Sequence, residues 1–107
     1  MLVDVRFKKI DHSDSLVEYA QERTEKLNSF CRGHASIHFD ISKQGRNKLV
    51  ELTFKTNLNI YHAQGISDNF YSSVDLAISR ILKQVKKHKQ KLRVHKNYAI
   101  NADKEAA

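Results

Sequence analysis

The 107-residue sequence contains no proline, three glycines and one cysteine. Without proline, no residue forces a helix to break or withholds its amide from a strand ladder. Gly33, Gly45 and Gly65 are too far apart for the glycine-rich loop that cradles a phosphate. Cys31 is alone and cannot form an internal disulfide, so it reads as a half-buried residue at a helix end, in a chain suited to a reducing cytosol. Long apolar runs are missing, and so is a charged-then-apolar leader. Neither a signal peptide nor a membrane span is expected, and cytoplasmic placement follows.

The usual outlines of catalysis are missing as well. Ser72, Ser73 and Ser79 have no nucleophile elbow around them, and no paired carboxylates carry an obvious acid-base partner. Of the six histidines, His34 and His38 are four apart but fall in a turn and a strand. Neither a second cysteine nor a glutamate-histidine helical motif accompanies them. No enzyme, metal or cofactor is expected. A small RNase using His38 or His62 is the catalytic alternative.

The most informative deficit is acid. From Leu76 to Ala102 there is no aspartate or glutamate, while Arg80, Lys83, Lys86, Lys87, Lys89, Lys91, Arg93 and Lys96 are all basic. The net charge is +7. Ten basic and ten acidic residues cancel as far as Asp75, so the surplus lies entirely in the last third. Such an excess points to a polyanionic partner, with RNA the leading candidate.

The same stretch carries apolar residues at helical spacing. Tyr71, Val74, Ile78, Ile81, Val85 and Leu92 recur at steps of three, four or seven, along one side of a helix expected to run from a cap at Ser67 or Asp68 to about Val94. Arg80, Lys83, Lys87 and Lys91 form a second line on it, about 16 Å long at ~1.5 Å rise per residue, broadened by Lys86 and Lys89. Like charges at this spacing repel by a few tenths of a kcal/mol per pair, so the line implies a compensating anion. His88 and His95 read as extensions of it.

Upstream, Val3, Val5 and Phe7 alternate with Asp4 and Arg6, giving a strand at about 2–8. Ser13 caps a helix whose core line runs Leu16, Ala20, Leu27 and Phe30, and Gly33 ends it. Residues 35–42 alternate strictly, apolar at odd positions and polar at even ones. A hairpin turn at 43–47 leads to Val50, Leu52 and Phe54, and residues 60–66 form a fourth strand. The order is β-α-β-β-β-α. One domain of the α+β class is expected, with a four-stranded sheet and two helices packed on one face. Strands one and two can pair in parallel across the helical connection. The layout resembles double-stranded-RNA-binding domains. Placed side by side, the helices merge Arg23, Lys26, Arg80, Lys83 and Lys87 into one surface. Most aromatics fall at core positions (Phe7, Phe30, Phe39, Phe54, Tyr71), so backbone and shape recognition is expected rather than base stacking.

Particular residues carry a family resemblance. Tyr71-Ser72-Ser73-Val74-Asp75, then Lys83-Gln84-Val85-Lys86-Lys87-His88-Lys89, follow the last helix of the ribosome hibernation-promoting factors, also described as ribosome-associated inhibitors and sigma-54 modulation proteins. His62-Ala63, the Ser13 and Leu16 helix start and Lys26-Leu27 match in the same order, so that the resemblance covers about residues 1–95. Asn69-Phe70 stands where the family has aspartate-methionine, and Ser67 where it has glycine.

The resemblance implies a non-enzymatic factor in the tRNA and mRNA channel of the 30S subunit, inhibiting translation under stress or in stationary phase. It implies 16S rRNA contacts from Arg23, Lys26, Arg80, Lys83, Lys87 and Lys89, to which the charge pattern adds Lys86 and Lys91. The chain resembles the short form, with residues 1–95 as the ribosome-binding domain and 96–107 as a flexible tail. The expected setting is the 70S or 100S ribosome, with a separate modulation factor for dimerisation and a monomer off the ribosome. A general structured-RNA-binding module is the alternative.

Overall fold

The computed structural model describes residues 2–28 and 34–101, with side chains described as far as His88. The elements are β1 (Leu2–Phe7), α1 (Asp14–Asn28), β2 (Ser36–Gln44), β3 (Asn47–Lys55), β4 (Ile60–Ser67) and α2 (Phe70–Asn101). This is the expected β-α-β-β-β-α order. The strands lie side by side as β1-β2-β3-β4. β1 pairs with β2 in parallel, while β2–β3 and β3–β4 are antiparallel.

Period-two alternation places three rows of apolar residues on one face of the sheet. Val3, Ile37, Phe54 and Tyr61 form one row, and Val5, Phe39, Leu52 and Ala63 the next. The third is Phe7, Ile41, Val50 and Gly65. Both helices cover this face: Leu16, Ala20 and Leu27 of α1 share one core with Val74, Ala77, Ile78, Ile81 and Val85 of α2. Phe39 and Phe54 are fully buried at its centre, where truncation to alanine costs about 3–5 kcal/mol.

Local chemistry sets the element ends. The Ser13 hydroxyl accepts from the Leu16 amide at 3.2 Å, as a helix cap should. Gln44 pairs with Asn47, leaving a two-residue turn in which Gly45 takes φ +65°. Glycine at the first central position suits a type II′ hairpin, which matches the twist of the flanking strands. At α2 the expected cap was Ser67 or Asp68, but Asn69 caps the helix. Its Oδ1 accepts from the amides of Tyr71 at 2.7 Å and Ser72 at 3.3 Å. Ser67 is engaged elsewhere, donating to the Asn69 carbonyl. α2 continues to Asn101, past the expected end near Val94. The expectations for Phe30, Cys31 and Gly33 lie outside the described residues.

Gly65 fixes how closely α2 approaches β4. A Cβ at this position would lie 1.9 Å from the Ser73 carbonyl oxygen and 2.9 Å from the Ala77 nitrogen. Helix backbone therefore occupies the space a side chain would need. Ser73 is fully buried at this contact and donates its hydroxyl to the Lys48 carbonyl at 2.7 Å. Two turns further, Arg80 donates to the Gln64 carbonyl at 2.6 Å, and one turn beyond it Gln84 donates to the His62 carbonyl at 2.7 Å. These side chains satisfy outward carbonyls of an edge strand, which otherwise invites pairing with another chain.

Candidate nucleic-acid interface

α1 and α2 lie against each other on the sheet, and their joint is a groove of about 420 Å³. Arg23 and Lys26 line it from α1; Lys83 and Lys86 line it from α2, with Asp75, Ile78, Ser79 and Leu82. Four of the eight residues expected to contact RNA thus converge from two helices. The spacing explains this. Arg23 and Lys26 are one turn apart beside the buried Ala20 and Leu27, and Lys83 and Lys86 are one turn apart beside the buried Val85. In each helix the apolar residues fix the face, and the cations stand at its margin.

The other four divide. Lys87 is exposed one turn beyond Lys83. Arg80 is exposed too, but its guanidinium is committed to the edge of β4 through the Gln64 carbonyl. It therefore belongs to the β4 flank of α2, away from the α1 joint, which corrects its place in a single merged surface. Lys89 and Lys91 lie on the α2 backbone, with side chains outside those described. His88, expected to extend the cationic line, instead turns inward and hydrogen-bonds the Tyr61 hydroxyl through Nδ1 at 2.8 Å. Burial pushes the Tyr61 phenol above the usual tyrosine pKa of 10.0.

Sequence reasoning missed the clamp at the mouth of the groove. Asp75, on the first turns of α2, accepts the Tyr19 hydroxyl at 2.7 Å across the joint. Its other oxygen stands 3.3 Å from Arg23 Nε. That approach is an ion pair without hydrogen-bond alignment, since Arg23 Nε has no hydrogen-bond partner. The guanidinium carbon sits 4.6 Å above the Tyr19 ring. Tyr19 meets Tyr71 edge to face, with centroids 4.9 Å apart. Tyr71 is 39% exposed, so it belongs to this clamp and not to the core where its spacing had placed it. The hydrogen bond to the Asp75 carboxylate, aided by burial, raises the Tyr19 pKa above 10.0; the Arg23 cation opposes the shift. The only sequence signal was Asp75 itself, the last acid before the basic run.

The opposite face of the sheet is polar. One row reads Asp4, His38, Thr53 and His62, and the next Arg6, Asp40, Glu51 and Gln64. His38 is held between Asp4 at 2.7 Å and Asp40 at 3.0 Å, while His62 Nδ1 lies 3.1 Å from the Thr53 hydroxyl. Asp40 also pairs with Arg6 and Lys8, both at 3.7 Å. Asp40, Arg6 and Lys8 thus offset one another, whereas the two-helix face carries an excess of cations. Among the described residues no group of histidine, cysteine and carboxylate side chains is arranged to hold a metal, and no helix is long and apolar enough to cross a membrane.

Sheet, helices and groove define a small α+β domain with a two-helix cationic face. Residues 3–93 match the family described as sigma 54 modulation protein / S30EA ribosomal protein, and the chain belongs to that family. A ribosome hibernation promotion factor of Picosynechococcus sp. is 27% identical over 85 residues, a match covering 74% of this chain and 44% of that protein. The chain thus spans less than half the length of this curated relative. The N-terminal domain of Protein Y from Thermus thermophilus superposes with a TM-score of 0.75 at 17% identity, covering 82% of this chain and 99% of that one. A ribosomal subunit interface protein from Coxiella burnetii gives 0.73 at 22% identity, covering 84% and 99%. At these identities the two structures establish the fold.

Proposed function

We propose that this protein is a ribosome hibernation factor that binds the small ribosomal subunit and blocks translation by occupancy. The observation that carries the reading is the convergence of Arg23, Lys26, Lys83 and Lys86 on one groove between two helices. The apolar sides of the helices are consumed by the core, so the cationic sides face away from it, toward an external anion. Family membership and the name of the Picosynechococcus relative favour ribosomal RNA as that anion. In this reading the groove neutralises 16S rRNA phosphates in the 30S channel that tRNA anticodon arms and mRNA need, under stress or in stationary phase. Residues 1–95 act as the binding unit, with 96–107 as a tail, and Lys87, Lys89 and Lys91 widen the contact, while Arg80 serves the β4 edge. The protein works in the cytoplasm as a monomer off the ribosome. Its setting is the 70S or 100S particle, where dimerisation draws on a separate modulation factor. No bond is made or broken. Of the histidines considered for an RNase, His38 is held between two carboxylates and His62 lies against the Thr53 hydroxyl, so each ring is engaged within the sheet face.

Lysine supplies point charge and arginine a bidentate fork, and together they suit phosphate without base readout. Engaging about five phosphates gives a slope of roughly −3.5 to −4.5 in log affinity against log salt. Sucrose-gradient profiling with purified protein should place it on 30S and 70S particles. The double substitution Lys83→Glu, Lys86→Glu should release it while leaving the fold intact, because both side chains are exposed. Unchanged co-sedimentation of that variant would remove the groove from the binding site. Equal affinity of the native protein for free RNA hairpins and for 30S subunits would favour a general structured-RNA module.

A further inference from the structure

We infer that Asp75 is a positioning residue that makes the groove selective for rigidly spaced phosphates over flexible polyanions. The inference rests on the phosphate-binding reading of the groove. A carboxylate among Arg23, Lys26, Lys83 and Lys86 repels every incoming phosphate, so for charge attraction alone it is a defect. Its geometry gives the compensating role. One oxygen takes the Tyr19 hydroxyl at 2.7 Å, and the other faces Arg23 Nε at 3.3 Å. Tyr19 lies under the guanidinium at 4.6 Å and is braced by Tyr71 at 4.9 Å. Arg23 is therefore held by charge on one side and by a ring below. Its side chain is still 42% exposed at the groove, although its Nε is itself buried there and has no hydrogen-bond partner.

The two effects of Asp75 differ in what they act on. Repulsion weakens all polyanions alike. Orientation of Arg23 helps only a partner whose phosphate already stands where the fixed guanidinium points, since an ordered fork loses less rotamer freedom on binding. A folded RNA presents such a phosphate at no ordering cost. A flexible single strand must be ordered to present it, and it binds equally well to a mobile arginine. Asp75 thus exchanges generic affinity for discrimination, the repulsive element that selectivity commonly needs.

The test is Asp75→Asn, with Asp75→Glu as the charge-conserving rescue. Three probes are used: 30S subunits, a 16-base-pair RNA duplex (about the span one double-stranded-RNA-binding domain covers) and poly(U). Asp75→Asn should bind poly(U) about fivefold more tightly and the duplex and 30S subunits no more tightly than the native protein, so the rigid-to-flexible ratio falls at least about fivefold. Asp75→Glu should restore most of the ratio. In the free protein, the Arg23 Nε–Hε correlation in NMR spectra should be that of a restrained side chain, and should average toward a mobile one in Asp75→Asn. Equal strengthening on all three probes would reduce Asp75 to a stray charge and overturn the inference. So would an unchanged Arg23 signal, or a loss on all probes that Asp75→Glu does not rescue. If the native protein shows no preference for 30S over duplex, the ribosome reading fails, while the duplex-to-poly(U) ratio and the Arg23 signal still judge Asp75.

Discussion

Gly65→Ala tests whether the approach of α2 to β4 sets both stability and the groove. The new Cβ would sit 1.9 Å from the Ser73 carbonyl oxygen, where ordinary contact begins near 3.4 Å. The obstacle is helix backbone, so no side-chain rotation relieves it. α2 must lift by about 1.5 Å, the difference between those two distances. Three bonds span the same joint: Ser73 to the Lys48 carbonyl at 2.7 Å, Arg80 to the Gln64 carbonyl at 2.6 Å and Gln84 to the His62 carbonyl at 2.7 Å. A shift of that size takes all three past hydrogen-bonding range. Overpacking alone costs about 1–3 kcal/mol. The buried Ser73 bond adds about 1–3 kcal/mol and the two exposed bonds about 0.5 kcal/mol each, for a total of about 3–7 kcal/mol. In urea unfolding the midpoint should fall at unchanged slope, and the melting temperature should drop by at least about 12 °C. Gly45→Ala is the control. No atom lies within 4 Å of a Cβ there, so it should cost only the positive φ, about 1–2 kcal/mol. A loss below about 1 kcal/mol at Gly65, or a loss at Gly45 as large as at Gly65, would refute the steric reasoning. Because α2 also carries Lys83 and Lys86, any folded Gly65→Ala protein should bind RNA more weakly too.

Tyr19 and Tyr61 should titrate above the ordinary tyrosine value of 10.0, and Tyr19→Phe and Tyr61→Phe should each remove a late step from the tyrosinate absorbance titration. Because both folded pKa values are raised, their stabilisation is fully present below pH 10.0 and is lost as pH rises through the higher folded values. Native stability should thus fall on the alkaline side, and less steeply in either variant; an unchanged alkaline limb would contradict the assignment. Lys9 holds a left-handed φ of 58°, which costs a side chain about 1–2 kcal/mol. Lys9→Gly relieves that strain but frees the unfolded chain by about 0.5–1 kcal/mol, so it should be up to about 1 kcal/mol more stable than Lys9→Ala. A less stable glycine variant in paired urea curves would sink this account.

The strands were legible because their faces differ so sharply in environment. Ile37, Phe39 and Ile41 are buried while Ser36, His38 and Asp40 are not, so period-two alternation gives orientation as well as element type. The cap of α2 was not legible, because Ser67, Asp68 and Asn69 are all good caps. What decides among them is tertiary: the Ser67 hydroxyl is drawn to the Asn69 carbonyl and lies 2.8 Å from Ser73 Oγ. Arg80 was misplaced for a similar reason. Projected on a helix it falls in line with Lys83 and Lys87, and only the position of the β4 edge shows that its guanidinium has a carbonyl to serve. The clamp joins Tyr19 to Asp75 across 56 residues of sequence, and no periodicity within one helix reaches that far.

These misreadings lie along the two borders of α2. A helix facing only core and solvent would follow its own periodicity. This one also borders the open edge of β4 on one flank and α1 on the other. On the β4 flank Arg80 and Gln84 replace the strand neighbour that the edge lacks. On the α1 flank Asp75 ties down Tyr19 and Arg23. Among the described residues the cations that remain between these flanks are Lys83, Lys86 and Lys87, and the first two meet Arg23 and Lys26 across the joint. Within the described part of the run, the count of basic residues therefore overstates the local RNA surface by Arg80. Charge-neutralising substitutions should separate accordingly: Arg80→Gln should lower stability more than it lowers the salt slope of RNA binding, and Lys83→Gln the reverse, by about one phosphate's worth of slope. Equal effects from the two would mean that Arg80 leaves the strand edge to engage the RNA.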